Sequence, residues 1–112
     1  MRLLPVALAL VLSSACAPPQ IAYIVSPSGP ATTAKAPDCD FEVRATIPKD
    51  GYEEIATVVF GSRTLTTYRA SRDPDEFKSA IRHDVCAIGG DAVVTQVDAQ
   101  GTIVRGAVLR RR

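Results

Sequence analysis

Apolar and polar residues alternate in the middle of the chain, a pattern that predicts a β-hairpin. The apolar members of the first stretch are Phe41, Val43, Ala45 and Ile47, and polar residues stand between them. This period of two is typical of a strand with one buried face. Pro48–Gly51 has the composition of a turn, and Glu54–Phe60, rich in Ile and Val, is predicted as the second strand.

An amphipathic helix is predicted to follow. Asp73 suits the N-cap, Pro74 suits the first helical position, and Glu76 would complete a capping box. The apolar residues at helical spacing, which form one stripe, are Phe77, Ala80, Ile81, Val85 and Ile88. The pair Gly89-Gly90 is expected to end the helix.

Two further strands are predicted at 91–97 and 102–109, joined by a tight turn at 98–101. Both are apolar on both faces, which indicates a central or doubly covered pair. Residues 63–68, with three threonines, fit either a strand or a loop. The order β-β-α-β-β over 39–112 predicts a two-layer α+β domain, with one helix packed on a mostly antiparallel sheet.

The first residues have the pattern of an export signal, predicted to comprise 1–15. Arg2 precedes an apolar run of about ten residues, roughly half the length of a membrane-spanning helix. One interpretation is cleavage after Ala17, because Ala15-Cys16-Ala17 fits the A-x-A pattern. The favoured one is cleavage before Cys16, because 12–16 resembles the lipobox of bacterial lipoproteins, with Ser13 in place of the usual leucine. That resemblance implies acylation of Cys16 and attachment to a membrane.

Residues 16–38 are predicted to form a lipidated tether. Their composition is dominated by Pro, Ala, Ser and Thr, which disfavours a packed core. About twenty extended residues at roughly 3 Å each would lift the domain some 60 Å from the lipid. The strand-forming segment Ile21–Val25 interrupts this composition. It is either an apolar patch within the tether or an extra edge strand that docks on the domain.

Three cysteines are present, and we expect two of them to pair. Cys16 belongs with the signal, and Cys39 and Cys86 are predicted to form a disulfide in an oxidising compartment. At 100° per residue Cys86 lies opposite Phe77 on the helix. The bond would then clasp the end of the tether over the outer side of the helix, or the last turn would have to unwind. A redox switch is the alternative, although the C-x-x-C spacing is absent.

Charge and residue types favour a protein without catalytic activity. Removal of Arg2 leaves 13 − 1 = 12 basic residues against 12 acidic ones, so no bulk charge favours a nucleic-acid partner. The single histidine, His83, is expected on the polar side of the helix. No metal site, cofactor or nucleophile–base pair is predicted. Arg110, Arg111 and Arg112 are either a solvated tail or a contact with anionic lipid headgroups or an acidic partner.

The overall plan resembles the small outer-membrane lipoproteins of bacteria with two membranes. The segment Cys86–Val94 is similar to one in the Rcs-type envelope-stress sensor lipoprotein and its relatives. The second residue of the mature chain would be Ala17, and by resemblance to lipoprotein sorting in such bacteria the absence of aspartate there implies the outer membrane, facing the periplasm. A soluble periplasmic or secreted protein is the alternative.

Three classes of function follow from these patterns. The favoured one is a non-enzymatic interaction module, held by lipid on Cys16, that binds another envelope protein. The second is an envelope-stress sensor. The third is a small exported ligand-binding protein or hydrolase.

Overall fold

The computed structural model describes residues 20–29, 32–61 and 68–112. The predicted signal peptide, the lipidation site Cys16 and nearly all of the undecided segment 63–68 lie outside the described residues. The described residues form an α+β structure in which one helix packs on a five-stranded, mostly antiparallel sheet, with strands before and after the helix. The predicted fold class is confirmed.

In chain order, the elements are β1 (Gln20–Ile21), β2 (Tyr23–Pro27), β3 (Glu42–Arg44), β4 (Tyr52–Phe60), β5 (Tyr68–Arg69), α1 (Pro74–Ala87), β6 (Ala92–Val97) and β7 (Ile103–Arg111). The strand order in the main sheet is β2-β4-β7-β6-β3, and within it only the pairing of β3 with β6 is parallel. β1 and β5 form a separate parallel ladder of two residues. The predicted last strand is thus central, as its two apolar faces indicate.

The predicted hairpin between 41 and 60 is wrong. β3 spans only three residues and pairs with β6, whereas β4 pairs with β2 and β7. Because β6 and β7 lie between β3 and β4, residues 45–51 have to cross the sheet, and this crossing ends the strand. Ala45 is therefore exposed and Ile47 is 77% exposed, although both continue the apolar alternation.

Part of the predicted tether belongs to the folded unit. Of the two interpretations of Ile21–Val25, the docked edge strand is what the structure contains, since β2 pairs with β4 from Tyr23 to Pro27. Residues 32–35 then pass over the C-terminal end of α1, where the Lys35 N–H donates to the Cys86 carbonyl at 2.8 Å. The folded unit therefore reaches back at least to Gln20, and the predicted boundary at Cys39 falls inside it.

The core lies between α1 and one face of the sheet. The helix contributes Phe77, Ile81 and Val85, and the sheet strands contribute, among others, Val58, Val93 and Val108, all fully buried. Ala80, which the predicted stripe includes, is exposed, and Cys86 is buried instead. The reason is that residues 39–41 cover the flank of the helix that carries Cys86, and this shifts the buried face towards them.

The start of α1 agrees with the predicted cap but not with the predicted capping box. The Asp73 carboxylate accepts a hydrogen bond from the Asp75 N–H at 2.9 Å, as an N-cap does. The Asp73 N–H, however, donates to the Ser71 hydroxyl at 3.0 Å. Glu76 accepts from Ser71 at 2.8 Å and from Arg69 at 2.6 Å instead. Ser71, fully buried, has replaced Glu76 as the partner of the cap backbone.

The end of α1 follows the predicted glycine pair. Gly89 has φ of +77°, a conformation that glycine adopts without strain. The Gly90 N–H donates to Val85 O at 3.0 Å and the Gly89 N–H to Cys86 O at 3.1 Å, the two bonds of a Schellman motif.

Candidate functional site

A groove with a volume of about 600 Å³ lies beside β3, between this strand and the first half of α1. The charged residues of its lining are Asp40, Glu42, Asp75, Asp91, Lys78 and Arg111. Four carboxylates against two cations give the groove a formal charge of 4 − 2 = 2 negative units. It has more charged residues in its lining than the second cavity described below, whose lining includes Glu54 and Arg105.

Among residues 20–29, 32–61 and 68–112, no strand pairs with the outer edge of β3, and this open edge borders the groove. The Glu42 N–H donates to the Asp91 carbonyl at 3.2 Å, and the Arg44 carbonyl accepts from the Thr95 hydroxyl at 3.2 Å. Both residues therefore direct their backbone groups towards β6. In a strand, the backbone groups of alternate residues point in opposite directions, so those of Val43 point away from β6. The Val43 N–H and C=O are consequently positioned to pair with an additional strand.

The disulfide determines where β3 begins. Cys39 and Cys86 are bonded, with their Cα atoms 5.8 Å apart, as expected from the sequence. Of the two geometries expected for this bond, the clasp is realised, because α1 continues to Ala87 without unwinding its last turn. Cys86 and Phe41 are both buried in the main core. The chain is thus held against the helix on both sides of Asp40, and β3 starts directly afterwards.

Two carboxylates of the groove, Asp40 and Asp91, have lowered pKa values. Lys78 Nζ lies 2.6 Å from Asp40 Oδ1, and this hydrogen bond, followed by the lysine charge, lowers the pKa of Asp40. Partial burial alone would raise the pKa of Asp91, but hydrogen bonds from the Lys35 ammonium and the Arg111 N–H outweigh it. The pKa of Asp91 is therefore lowered as well.

The other two carboxylates are the ones most open to a partner. Glu42, whose side chain is exposed, contacts the half-buried Arg44 only at 3.4 Å. Asp75 lies in the exposed first turn of α1, and over residues 20–29, 32–61 and 68–112 its carboxylate forms no ion pair. Asp75 is therefore the groove carboxylate without an ion pair among the described residues, and Glu42 has the longest one.

A second, smaller cavity of about 290 Å³ lies on the sheet face opposite α1. Its lining includes Ile47, Thr57, Val94 and Ala107. It forms where residues 45–51 cross the sheet, and its mixed walls contain no convergent set of charged groups comparable with the groove.

The C-terminal arginines do not form a solvated tail. Arg110 and Arg111 lie within β7, where Arg110 forms an ion pair with Glu53 and Arg111 lies over the Tyr52 ring at 5.7 Å. Only Arg112 follows the strand, and its N–H donates to Gly51 O at 2.9 Å. Because two of the three arginines belong to a central strand of the sheet, the solvated-tail interpretation is wrong. The predicted contact with anionic lipid or an acidic partner stays a prediction.

His83 is exposed on α1, as the sequence predicts, and Asp73 and Glu76 lie at the start of the helix. In the described part of the chain, no group of three or more His, Cys, Asp or Glu side chains is arranged to hold a metal ion. No helix among these residues has the length and hydropathy needed to cross a membrane.

Glu42, Val43 and Lys78 border the groove, although the sequence predicted no functional role for them. The alternation at 41–47 indicated a strand, but nothing in it indicated that the strand lies at an edge. Comparison of the chain with protein-family models, curated proteins and solved structures finds no match in any of the three.

Proposed function

We propose that this chain is a lipid-anchored envelope protein that acts as a non-enzymatic interaction module. Its anchor is acylated Cys16, and it binds an extended, basic segment of another envelope protein along β3. The observation that carries the proposal is the negatively charged groove beside an open strand edge. The outward N–H and C=O of Val43 supply the main-chain hydrogen bonds of strand addition.

Charge supplies the selectivity. A segment that contains lysine or arginine would place a cation near Asp75, which has no ion pair within the described residues, or near Glu42, whose ion pair with Arg44 is 3.4 Å long. Such contacts lie at the surface, so the affinity should fall as salt increases. Because β3 has only three residues, few backbone bonds are available, and we expect a weak, reversible complex.

The disulfide supports the cellular location. Disulfides persist in oxidising compartments, including the bacterial periplasm, and Cys39 and Cys86 are joined in the structure. The signal-like start and the lipobox resemblance point to the same compartment. The proposed position is the periplasmic face of the outer membrane.

The binding proposal is tested with a substitution that blocks only the outward edge of β3. Val43→Pro removes the outward N–H, and proline is tolerated on an edge strand where that group faces away from the sheet. The full chain in detergent is titrated with a synthetic peptide of alternating lysine and valine. We expect binding by the unchanged protein and by Val43→Ala, and at least a tenfold loss in Val43→Pro, about 1.4 kcal/mol.

The controls separate strand addition from simple charge attraction. A glutamate–valine peptide should not bind, and the double variant Glu42→Gln/Asp75→Asn should bind the lysine peptide more weakly and with less salt dependence. Circular dichroism checks that Val43→Pro is folded. Full affinity in folded Val43→Pro, or equal binding of both peptides, would overturn the proposal.

The anchor is tested separately by mass spectrometry of the N-terminal peptide from membrane-extracted protein. We expect an N-terminal Cys16 with attached acyl chains, and no acylation in Cys16→Ser. A mature chain that begins at Pro18, or one that retains residues 1–15, would contradict anchoring.

An envelope-stress sensor is the second candidate, and one observation favours it. β2 and residues 32–38 lie between Cys16 and the disulfide, outside the loop that Cys39–Cys86 closes. This segment can leave the sheet while the disulfide still closes the loop from Cys39 to Cys86, so the fold permits release of β2 as the change that a sensor would need. Increased hydrogen exchange in β2 alone under envelope stress would support the sensor role.

A further inference from the structure

The fold begins very close to the proposed anchor. Gln20 pairs with Tyr68 and Ile21 with Arg69, so the chain is ordered into β1 from Gln20 onwards. The Gly61 N–H donates to the Ala22 carbonyl at 2.9 Å, directly after this ladder. We call this region, built from Gln20–Ile21 and Tyr68–Arg69, the β1–β5 end of the fold.

The covalent reach from Cys16 to Gln20 is short. Four residue steps span at most about 14 Å when fully extended, at roughly 3.6 Å each. The polar headgroup layer takes up about 6 Å of that distance on one side of a bilayer. Less than about 10 Å then remains between the headgroups and Gln20, which is no more than the diameter of one α-helix.

Exposed apolar side chains cluster at the same end. Val97 pairs with Ile103 at the start of β7. The register of β7 with β4, and of β4 with β2, places the start of β7 at the same end of the sheet as Tyr23. Val97 is 57% exposed, Ile24 43% and Val104 38%. Among the described residues, three of the four exposed large hydrophobic side chains thus lie at the level of the anchor.

We propose that the β1–β5 end of the fold rests on the phospholipid headgroups of the membrane that holds Cys16. The inference depends on the proposed anchor, and it replaces the 60 Å tether with a domain that touches the lipid surface. β7 runs away from this end, and the nine residue steps from Ile103 to Arg112 cover a distance of about 30 Å. The C-terminal arginines are therefore held away from that membrane, and the groove beside β3 stays accessible along the side.

Tryptophan fluorescence tests this orientation, because the chain contains no tryptophan. The lipidated full chain carrying Val97→Trp is reconstituted into vesicles of phosphatidylethanolamine and phosphatidylglycerol with a headgroup-attached nitroxide lipid. Arg112→Trp is the matched control at the far end of β7, and Val104→Trp replaces Val97→Trp if that variant does not fold. We expect the nitroxide to quench the fluorescence of Val97→Trp, or of its replacement, at least twice as strongly as that of Arg112→Trp.

A second variant tests whether the short linker is the cause. Twenty glycine and serine residues inserted between Ala17 and Pro18 add about 25 Å of flexible chain. The proteins should still float with the vesicles, but the quenching of Val97→Trp should fall to the level of Arg112→Trp. Stronger quenching of Arg112→Trp, equal quenching of both variants, or quenching unchanged by the insertion would overturn the inference. Failure of acylation is detected separately, as loss of flotation and of the acylated Cys16 peptide.

Discussion

Replacing Tyr23 with phenylalanine should remove the hydrogen bonds that hold the edge strand β2 to the rest of the fold. The Tyr23 hydroxyl donates to Ile103 O at 2.7 Å and accepts from the Ser71 N–H at 2.8 Å. It thereby joins β2 to the start of β7 and to the segment that leads into α1. The ring itself packs edge-to-face on Phe60 and Phe77, with centroids 5.9 and 4.8 Å away, and phenylalanine keeps these contacts.

The magnitude follows from the two bonds. Each intramolecular hydrogen bond contributes about 1 kcal/mol net, and a buried donor left without a partner costs about 1–3 kcal/mol. Ser71 is fully buried, so its N–H would lose its partner with little access to water. We therefore expect Tyr23→Phe to lower the free energy of unfolding by about 2–3 kcal/mol, out of the roughly 5–15 kcal/mol usual for a domain.

Urea unfolding followed by circular dichroism measures the loss. Tyr52→Phe is the matched control, because the Tyr52 hydroxyl only accepts from Arg111 Nε at 3.3 Å on the surface. The control should change stability by less than about 0.5 kcal/mol. A loss in Tyr23→Phe no larger than that of the control would refute the reasoning. Burial also raises the pKa of Tyr23, so the stability it contributes should decline as the pH rises above about 10, its unfolded value.

Three further predictions concern the helix and its clasp. Cys39 and Cys86 are separated by 47 residues, so reduction of their disulfide should lower the free energy of unfolding by about 4 kcal/mol in the chain-entropy treatment. Urea unfolding with and without a phosphine reductant measures the change, and a loss below about 1 kcal/mol would contradict the stabilising role of the bond. Gly90→Ala should destabilise by about 1–3 kcal/mol in thermal melts, because the added Cβ would lie 2.7 Å from Val108 Cγ1; an unchanged melting temperature would show that the packing relaxes. Because the pKa of Asp91 is lowered in the folded state, the stability that its carboxylate contributes is complete above about pH 4 and is lost as the pH falls further. Asp91→Asn should therefore make the stability less dependent on pH below about 4 in acid unfolding, and an unchanged curve would contradict this.

Local signals in the sequence were the ones interpreted correctly. The cap at Asp73, the apolar spacing of Phe77, Ile81 and Val85 and the glycine pair after the helix act within a few residues, and the structure contains all of them. The pairing partners of the strands could not be predicted from such local signals. The alternation at 41–47 specifies an extended segment, but pairing depends on which strands lie between, and β3 joins β6 about fifty residues later in the chain.

The candidate site could not be predicted from the sequence either, because it also depends on which elements become neighbours. The groove brings Asp40 and Glu42 beside Asp75 and Asp91, which come from separate elements. Whether Val43 lies at an edge depends on the order of all five strands, and no short pattern encodes that order. The disulfide could be expected from the number of cysteines, whereas the burial of Cys86 depended on the path of residues 39–41.

The position of the disulfide gives the fold a mechanical consequence. Any force transmitted through the anchor enters at Gln20 and reaches β2 before it reaches the rest of the sheet. If β2 yields, the nineteen residue steps from Gln20 to Cys39 can extend to about 60 Å. The extension then stops at a covalent bond to α1, so the sheet from β3 to β7 bears no load until the slack has been used. β2 is thus the strand that detaches first under load, and the disulfide limits how far the detached segment can extend.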